Sequence, residues 1–193
     1  MALKKAKEYG VTTSFDLNYR ARLWTEDIEE KQKSLAEMMQ YVDICFGNAR
    51  DAAKCLGYSV PGLDLIDGDY SICVNEENMK KVLDQYQLKC LITTLRKSIS
   101  ASDNTLSAAV YSKEGLYIGS SYPLHIVDRV GGGDSFAAGF LHGYLSGMNF
   151  QGSLEFAIAA SAIKHTMPGD VNYTTEKEVV ALMNSDGSGR VRR

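Results

Sequence analysis

Residues 127–140 read Val-Asp-Arg-Val-Gly-Gly-Gly-Asp-Ser-Phe-Ala-Ala-Gly-Phe, and this stretch decides the fold because it leads from an apolar strand through three glycines into a helix. Glycine has no Cβ, so Gly131, Gly132 and Gly133 can gather several backbone N–H groups around one point and let a ligand approach closely. The start of the following helix adds unpaired N–H groups and the positive end of its dipole. The stretch therefore predicts an anion site.

Asp134 places a carboxylate beside this predicted anion site. Repulsion would make a carboxylate unfavourable for simple anion binding, but it suits a reaction in which a neutral hydroxyl lies between it and a phosphoryl group. One group must then accept the proton of the hydroxyl while N–H donors stabilise the transferring oxygens. We expect Asp134 to be the catalytic base and Gly131 to Gly133 to form the anion hole. The local alternative is a tight strand-to-helix turn, which glycines alone do not exclude.

The segment from Asp128 to Phe140 resembles the second signature of the ribokinase-like (PfkB-type) carbohydrate kinases, whose Asp-x-x-Gly-x-Gly-Asp carries an anion hole and a catalytic base. The signature here reads Asp-Arg-Val-Gly-Gly-Gly-Asp-Ser-Phe-Ala-Ala-Gly, and it is similar to the signature of the branch that phosphorylates 2-keto-3-deoxygluconate. Arg129 replaces a small residue common elsewhere in the family, and this departure favours the branch of keto-deoxy sugar acids. The resemblance implies a three-layer α/β/α fold with a mostly parallel central sheet.

The composition of the 193 residues is 45% hydrophobic and 23% charged, with a net charge of −3. This balance suits one mildly acidic α/β domain and argues against a nucleic-acid partner. We expect a cytoplasmic protein without a membrane partner, because no apolar run reaches ~20 residues and the basic N-terminus has no signal-peptide core. Metal-site spacing is absent among the cysteines, which predicts reduced and mostly buried thiols at Cys45, Cys55, Cys73 and Cys90.

The pattern of apolar residues predicts alternating helices and strands, beginning with an amphipathic helix that closes on Gly10. Such a beginning suggests that the chain starts in mid-fold. The resemblance runs from about Ala2 to the C-terminus, and implies that residues 1–184 are the C-terminal portion of a single kinase domain, without its N-terminal strands and lid, and that 185–193 are a tail. The predicted strands cover 11–15, 42–46, 90–95, 105–112, 115–121 and 124–127, and the later helices 25–41, 76–86, 152–166 and 175–183.

A polar loop follows the first predicted strand, where residues 16–24 read Asp-Leu-Asn-Tyr-Arg-Ala-Arg-Leu-Trp. Ligands of open α/β sheets bind beyond the C-terminal ends of strands. Arg20 and Arg22 could hold a carboxylate or phosphate through bidentate hydrogen bonds, or could be an arginine pair on a solvated loop. Phe-Asp-x-Asn-x-Arg-x-x-Leu-Trp recurs in the resembled branch, which implies that Asn18, Arg20 and Arg22 bind substrate.

Two further strand ends carry polar residues. Asn48 with Asp51 three residues on predicts a local helix cap. The resemblance offers another interpretation, since an Asn-x-x-Glu motif at this place helps to organise Mg2+ and phosphate, and the shorter Asp51 would act through water. Thr94 matches the place where family members contact the nucleotide, although Arg96 replaces the family's glycine. We expect Asn48 and Thr94 to bind nucleotide, and Asn48 and Asp51 to contact Mg2+.

The turn Met167-Pro168-Gly169-Asp170 closes a helix rich in small residues. Termination by Pro-Gly explains this turn locally. The resemblance implies instead that it borders the adenine, with Gly169 at the nucleotide, and that Asp128 joins a monovalent-cation site. The three histidines, His125, His142 and His165, show no ligand spacing and are expected to be structural.

The resemblance therefore implies an ATP-dependent kinase that converts 2-keto-3-deoxygluconate to its 6-phosphate, with ATP and Mg2+ as cofactors and K+ as a candidate. Its partners would be a sugar acid and ATP, and we expect a homo-oligomer. Alternatives are another PfkB-type sugar kinase, such as a fructokinase or a ribokinase-like enzyme, and a non-catalytic nucleotide-binding fragment. A hydrolase using the Gly-Asp-Ser block at Ser135 would need an Asp-x-x-His block, which the sequence lacks.

Overall fold

The computed structural model describes residues 2–58 and 76–185. The chain divides into two compact units, the first comprising Met1–Thr94 and Ala109–Tyr117, the second Leu95–Ala108 and Ile118–Arg193. The predicted loop over 59–75, with Cys73 in it, and residues 186–193 of the predicted tail lie outside the described residues.

The first unit alternates helices with short strands. Its helices are α1 (Ala2–Glu8), α2 (Ile28–Met39), α3 (Ala49–Leu56) and α4 (Glu76–Tyr86), and Ala21–Leu23 form a 3-10 turn. Its strands are β1 (Ser14–Asp16), β2 (Ile44–Phe46) and β5 (Gly115–Ile118), which extends one residue into the second unit, and β3 (Cys90–Ser98) and β4 (Asp103–Ser112) run through both units.

The strands form a mixed sheet in the order β1-β2-β3-β4-β5, with β6 (Tyr122–His125) paired to β4. Phe15 lies opposite Cys45 in the parallel pair β1–β2, and Cys45 lies opposite Leu91 in the parallel pair β2–β3. Strand β6 runs antiparallel to β4, with Tyr122 opposite Leu106. Every residue of β2 is buried, as expected for a strand covered on both faces. The helices that flank this sheet give the ribokinase-like α/β architecture that the sequence predicts.

The core of the first unit contains an apolar cluster that includes the periodic positions of its helices. Helix α4 has the predicted bounds, and its buried face is Met79, Val82, Leu83 and Tyr86. Helix α2 begins three residues later than predicted, because Asp27 adopts a left-handed conformation (φ 50°) just before it. The buried members of the cluster are Leu17, Met39, Val42, Cys45, Ala52, Cys55, Met79, Val82, Leu83, Tyr86, Leu88, Leu91 and Tyr111.

A buried carboxylate ties α1 to the sheet. Asp43 accepts hydrogen bonds from Lys7 Nζ at 2.7 Å and from the Thr13 backbone N–H at 2.9 Å. Burial alone would raise the pKa of Asp43, but these hydrogen bonds and the charges of Lys7 and Lys89 outweigh it and lower the pKa. Asp43 is therefore held as a carboxylate.

The second unit is built on two helices that pack closely, α5 (Gly132–Leu145) and α6 (Phe150–Lys164), followed by α7 (Glu176–Met183). A Cβ on Gly139 would stand 3.0 Å from the Ala157 Cα, and one on Gly143 would stand 2.9 Å from the Ser153 Cα. Close packing of the two helices therefore requires glycine at both positions. Helix α5 is thereby fixed against α6.

Strand β6 ends two residues earlier than predicted, because the next two N–H groups leave the ladder. The Ile126 N–H donates to the Ser102 carbonyl at 2.7 Å, and the Val127 N–H donates to the His165 carbonyl at 2.9 Å. Residues 126–131 therefore form an irregular segment that leads into α5. None of the helices in the described ranges is long and apolar enough to cross a lipid bilayer.

Candidate active site

Only the first of the three glycines forms the turn. Gly131 has φ 74° and caps α5, whereas Gly132 and Gly133 are the first two residues of the helix. A Cβ on Gly131 would collide with the Asp170 carbonyl oxygen, so both its conformation and its neighbour require glycine here. The expectation that the helix follows all three glycines is wrong, since its first turn already contains two of them.

Gly132 and Gly133 face different surroundings. A Cβ on Gly132 would stand 2.5 Å from Cε1 of the His165 ring, whereas a Cβ on Gly133 would meet no heavy atom within 4 Å. Gly132 is buried and Gly133 is exposed. The glycine at 132 is therefore explained by packing, while the one at 133 leaves open space at the start of the helix.

Free donors are present at this helix start. Gly131 provides no side-chain cap, and the Gly132 N–H makes only a long bond of 3.3 Å to the Arg129 carbonyl. Within residues 2–58 and 76–185, the N–H groups of Gly133 and Asp134 have no hydrogen-bond acceptor. Two donors at the positive end of a 14-residue helix are thus available to an anion.

The Asp134 side chain lies in this first turn and is exposed. Across the described part of the chain, its carboxylate has neither a hydrogen-bond donor nor an ion-pair partner. A capping role would have engaged this carboxylate with the backbone, as Glu178 is engaged in α7. The carboxylate is therefore free to accept a proton from a bound molecule.

Asp128 joins the segment before α5 to the turn after α6. One carboxylate oxygen accepts the Val130 N–H at 3.0 Å, and the other accepts the Gly169 N–H at 2.9 Å. These two hydrogen bonds and the charge of Lys164 hold the pKa of Asp128 below its usual range. Gly169 has φ 80° and is exposed. The structure thus brings Asp128 and Gly169 together.

The His165 ring packs against Gly132 at the start of α5, a contact that nothing in the sequence indicates beyond the position of His165 before the turn. Its Nδ1–H donates to the Ser161 carbonyl at 2.7 Å, so Nε2 is the acceptor for the Arg96 guanidinium at 2.9 Å. Burial first, and then the charges of Arg96, Lys164 and Arg129, lower the pKa of the imidazole. The expectation that His165 is structural fits a buried, neutral ring.

Ser135 is unsuited to act as an exposed nucleophile. It is buried, its hydroxyl donates to the Ala160 carbonyl at 3.2 Å, and it accepts Asn172 Nδ2 at 2.6 Å. These contacts join α5 to α6 and to the segment before α7. Ser135 therefore serves packing, which agrees with the absence of a hydrolase motif in the sequence.

In the first unit, the segments after β1 and β2 lie together. The Leu17 N–H donates to the Phe46 carbonyl at 2.9 Å, and a Cβ on Gly47 would stand 2.8 Å from Leu17 Cδ1. Asn18 follows with φ 41° and is exposed. Arg20 and Arg22 are exposed in or beside the 3-10 turn, and among the described residues Arg20 donates only to the adjacent Tyr19 carbonyl, at 3.1 Å. Both guanidinium groups are thus accessible from solvent.

Asn48 and Asp51 form the capping box that their spacing predicts. The Asp51 N–H donates to Asn48 Oδ1 at 2.9 Å, and the Asn48 N–H donates to Asp51 Oδ2 at 3.1 Å. The local interpretation is confirmed. The predicted contact of the pair with Mg2+ stays a prediction. A role through water remains open to them.

Asp16 was missed as a site residue in the sequence, although it belongs to the Phe-Asp-x-Asn motif. Burial first, and then the charges of Asp51 and Asp16, raise the pKa of the Cys55 thiol to about 11. Burial first, and then charges that include those of Asp16 and Asp51, also raise the pKa of Cys45. Two carboxylates, Asp16 at the end of β1 and Asp51 in the first turn of α3, therefore lie near the same buried thiols. The described cysteines, Cys45, Cys55 and Cys90, are buried and reduced as expected.

The predicted site residues thus fall into two groups. Asp128, Gly131, Gly132, Gly133, Asp134 and Gly169 lie together in the second unit. The first unit contains Asn18, Arg20, Arg22, Asn48 and Asp51, and also Thr94, half-buried in β3. That both groups serve one reaction stays a prediction.

A mixed sheet flanked by helices, with a glycine-rich helix start in its second unit, gives this chain a ribokinase-like α/β fold. The family model of the pfkB family carbohydrate kinases matches residues 1–177, and the chain belongs to this family.

Known relatives agree with the fold. The crystal structure of 2-dehydro-3-deoxygluconokinase from Thermotoga maritima is 44% identical, with a TM-score of 0.82 over 95% of this chain and 53% of that one. A PfkB family carbohydrate kinase from Listeria grayi is 30% identical, with a TM-score of 0.81 over 95% and 53%. The 2-dehydro-3-deoxygalactonokinase of Haloferax volcanii is 25% identical over 97% of this chain and 52% of that protein. The chain therefore spans about half the length of these relatives.

Proposed function

We propose that this chain provides the phosphoryl-transfer centre of an ATP-dependent kinase that phosphorylates 2-keto-3-deoxygluconate to its 6-phosphate. One observation carries the proposal: the exposed Asp134 carboxylate lies in the first turn of α5, beside the free N–H groups of Gly133 and Asp134. Membership of the family and the names of the relatives support this chemistry and substrate class.

Asp134 accepts the proton of the sugar hydroxyl as the hydroxyl oxygen attacks the γ-phosphorus of ATP. The new bond joins that oxygen to phosphorus, the bond to the bridging oxygen of ADP breaks, and the proton rests on Asp134 before it passes to water. The N–H groups of Gly133 and Asp134 donate to the transferring phosphoryl oxygens. Such donors contribute most where they are held in place before the reaction, as they are here in a helix packed on α6.

Mg2+, when bound with ATP, would neutralise part of the charge on the phosphate oxygens. The side-chain oxygens of Asn48 and Asp51 suit a contact with Mg2+ through water, because each already accepts the backbone N–H of the other residue. We propose that Asn48, Asp51 and Asp16 hold the water shell of the ion rather than the ion itself. Thr94 and Gly169 are proposed nucleotide contacts.

The exposed arginines suit the acid group of the substrate. Arg20 and Arg22 present guanidinium groups whose paired donors match a carboxylate. Asn18 lies two residues before Arg20, and we propose that it binds a substrate hydroxyl. Neutral sugars would leave such arginines unpaired, which is why a sugar acid is preferred over fructose or ribose.

An ADP-release assay of the purified chain tests this function. The substrates are 2-keto-3-deoxygluconate, gluconate, fructose and ribose, each with Mg2+ and ATP. Because the chain spans half its relatives' length, the assay is repeated with a chimera that joins it to the unmatched half of the Thermotoga maritima kinase. We expect the highest kcat/KM with 2-keto-3-deoxygluconate. Preference for a neutral sugar would support the alternative sugar kinase, and ATP binding without turnover in both proteins would support the non-catalytic alternative.

A further inference from the structure

Lys164 is a fully buried lysine at the end of α6. Its exposed fraction is 0%, and its Nζ donates to the Met167 carbonyl at 3.3 Å. Within the described ranges this is the single hydrogen bond of the ammonium group. An ammonium has three donors, and taking it out of water is unfavourable unless an opposite charge lies nearby.

Asp128 is the opposite charge that the structure provides. The charge of Lys164 contributes to lowering the pKa of Asp128, after the hydrogen bonds from the Val130 and Gly169 N–H groups. Arg96 and Arg129 lie near His165 too, and their like charges give Lys164 no compensation. The charge of Asp128 therefore offsets part of the charge of Lys164.

Lys164 and Asp128 act on the same short turn. Lys164 holds the Met167 carbonyl, and Asp128 holds the Gly169 N–H. The next residue, Asp170, places its carbonyl oxygen against Gly131, where no Cβ would fit. A displacement of this turn would therefore move the Asp170 carbonyl oxygen, which packs against Gly131 at the start of α5.

The monovalent cation that the family resemblance suggests at Asp128 does not fit these residues. A bound K+ would need several oxygen ligands at this turn, yet the Met167 carbonyl already accepts a hydrogen bond from the Lys164 ammonium group. A second positive charge beside a buried ammonium would also be repelled. The Lys164 ammonium group therefore already supplies a positive charge at this turn.

We propose that the ammonium group of Lys164 is a built-in cation that positions Asp128 and the turn around Gly169, so that this chain needs no bound monovalent cation there. Lys164 is a positioning residue, since it acts on the anion hole through the turn. This inference is independent of the phosphoryl transfer itself, because it concerns how the second unit is held together.

Thermal unfolding of the purified chain tests the proposal in KCl and in tetramethylammonium chloride at equal ionic strength. Tetramethylammonium is too large for the place of a buried ammonium. The wild-type midpoint is expected to be the same in both salts. Lys164→Met keeps the volume and removes the charge, and its midpoint should fall by about 4 °C or more in both salts. Lys177→Met, on the exposed face of α7, is the control and should stay close to the wild type.

Lys164→Ala opens space beside the Met167 carbonyl, so its lower midpoint should be partly restored by KCl or by propylammonium chloride and not by tetramethylammonium. Asp128→Asn should lower the midpoint less in the Lys164→Met background than in the wild type, because the charge pair is already lost. A wild-type midpoint that rises specifically with K+, or a Lys164→Met midpoint equal to the wild type, would overturn the proposal. Asp134→Asn should leave the salt dependence unchanged, which separates this test from that of the transfer reaction.

Discussion

The imidazole of His165 lies against the backbone of Gly132, where a Cβ would stand 2.5 Å from Cε1 and 2.8 Å from Nε2 of the ring. The Ser161 side chain holds the same glycine from the other side, since its hydroxyl donates to the Gly132 carbonyl at 2.9 Å. Both contacts come from the end of α6. The geometry of the proposed anion hole therefore depends on a neighbouring helix as much as on its own glycines.

Gly132→Ala should destabilise the chain by about 1–3 kcal/mol, because its methyl group must displace a buried ring that two hydrogen bonds hold in place. Urea unfolding monitored by far-UV circular dichroism measures this loss. The matched control is Gly133→Ala, whose Cβ meets open space in the same helical turn. We expect its stability to be unchanged or raised by up to about 1 kcal/mol, as is typical of alanine in a helix. Equal losses in both variants would contradict the proposed packing.

The stability of the chain should fall as the pH drops below about 6.5, through His165. Because the folded chain lowers the pKa of this imidazole, the unfolded chain binds the proton first, and stability is complete above the unfolded pKa. The loss should approach about 1.4 kcal/mol per pH unit until the folded pKa is reached. Urea unfolding between about pH 5 and pH 7, the range in which histidine titrates, measures this loss of stability.

His165→Gln should remove most of this pH dependence, whereas His125→Gln should keep it. His125 is exposed, and its Nδ1 lies 2.8 Å from the Asp103 carboxylate, so it is a histidine of the same unit in a different setting. An unchanged pH profile in His165→Gln would show that the acid sensitivity has another source.

Two variants of Asn48 distinguish its role as a helix cap from its proposed role as a nucleotide contact. Asn48→Ser keeps an oxygen that can cap α3, so its stability should stay within about 0.5 kcal/mol of the wild type, while Asn48→Ala should lose about 1 kcal/mol. If the proposed role toward Mg2+ and phosphate is correct, both variants bind Mg2+·ATP more weakly in isothermal titration calorimetry. Normal affinity in the serine variant would restrict Asn48 to capping.

Much of the fold could be predicted from local patterns. The face of Met79, Val82, Leu83 and Tyr86 repeats with the helical period, and α4 has the predicted bounds. The capping box of Asn48 and Asp51 is also local, since both of its hydrogen bonds join residues three positions apart. The predicted ends of helices and strands were wrong where contacts with residues far along the chain determine them. Strand β6 ends early because the Val127 N–H turns to the carbonyl of His165, a residue far along the chain.

The candidate site was predictable where one motif contains it and not where tertiary contacts build it. The run of glycines before Asp134 identified the helix start, but not that Gly131 alone takes the turn and that Gly132 is packed on a ring. The contact between Arg96 and His165 could not be predicted, because the two residues lie far apart in the sequence. Lys164 in particular looks like a surface lysine in the sequence and is fully buried.

The central claim is that Asp134 is the base for phosphoryl transfer, and Asp134→Asn tests it most directly in the chain or the chimera, whichever turns over. The amide keeps the size of the side chain but does not accept the hydroxyl proton. We predict that kcat falls by about 10²–10⁴, as for loss of a general base, while the Kd for ATP stays close to the wild type. Asp84→Asn, on the exposed face of α4, controls for the loss of one charge. A kcat of Asp134→Asn close to the wild-type value would contradict the assignment of Asp134 as the base.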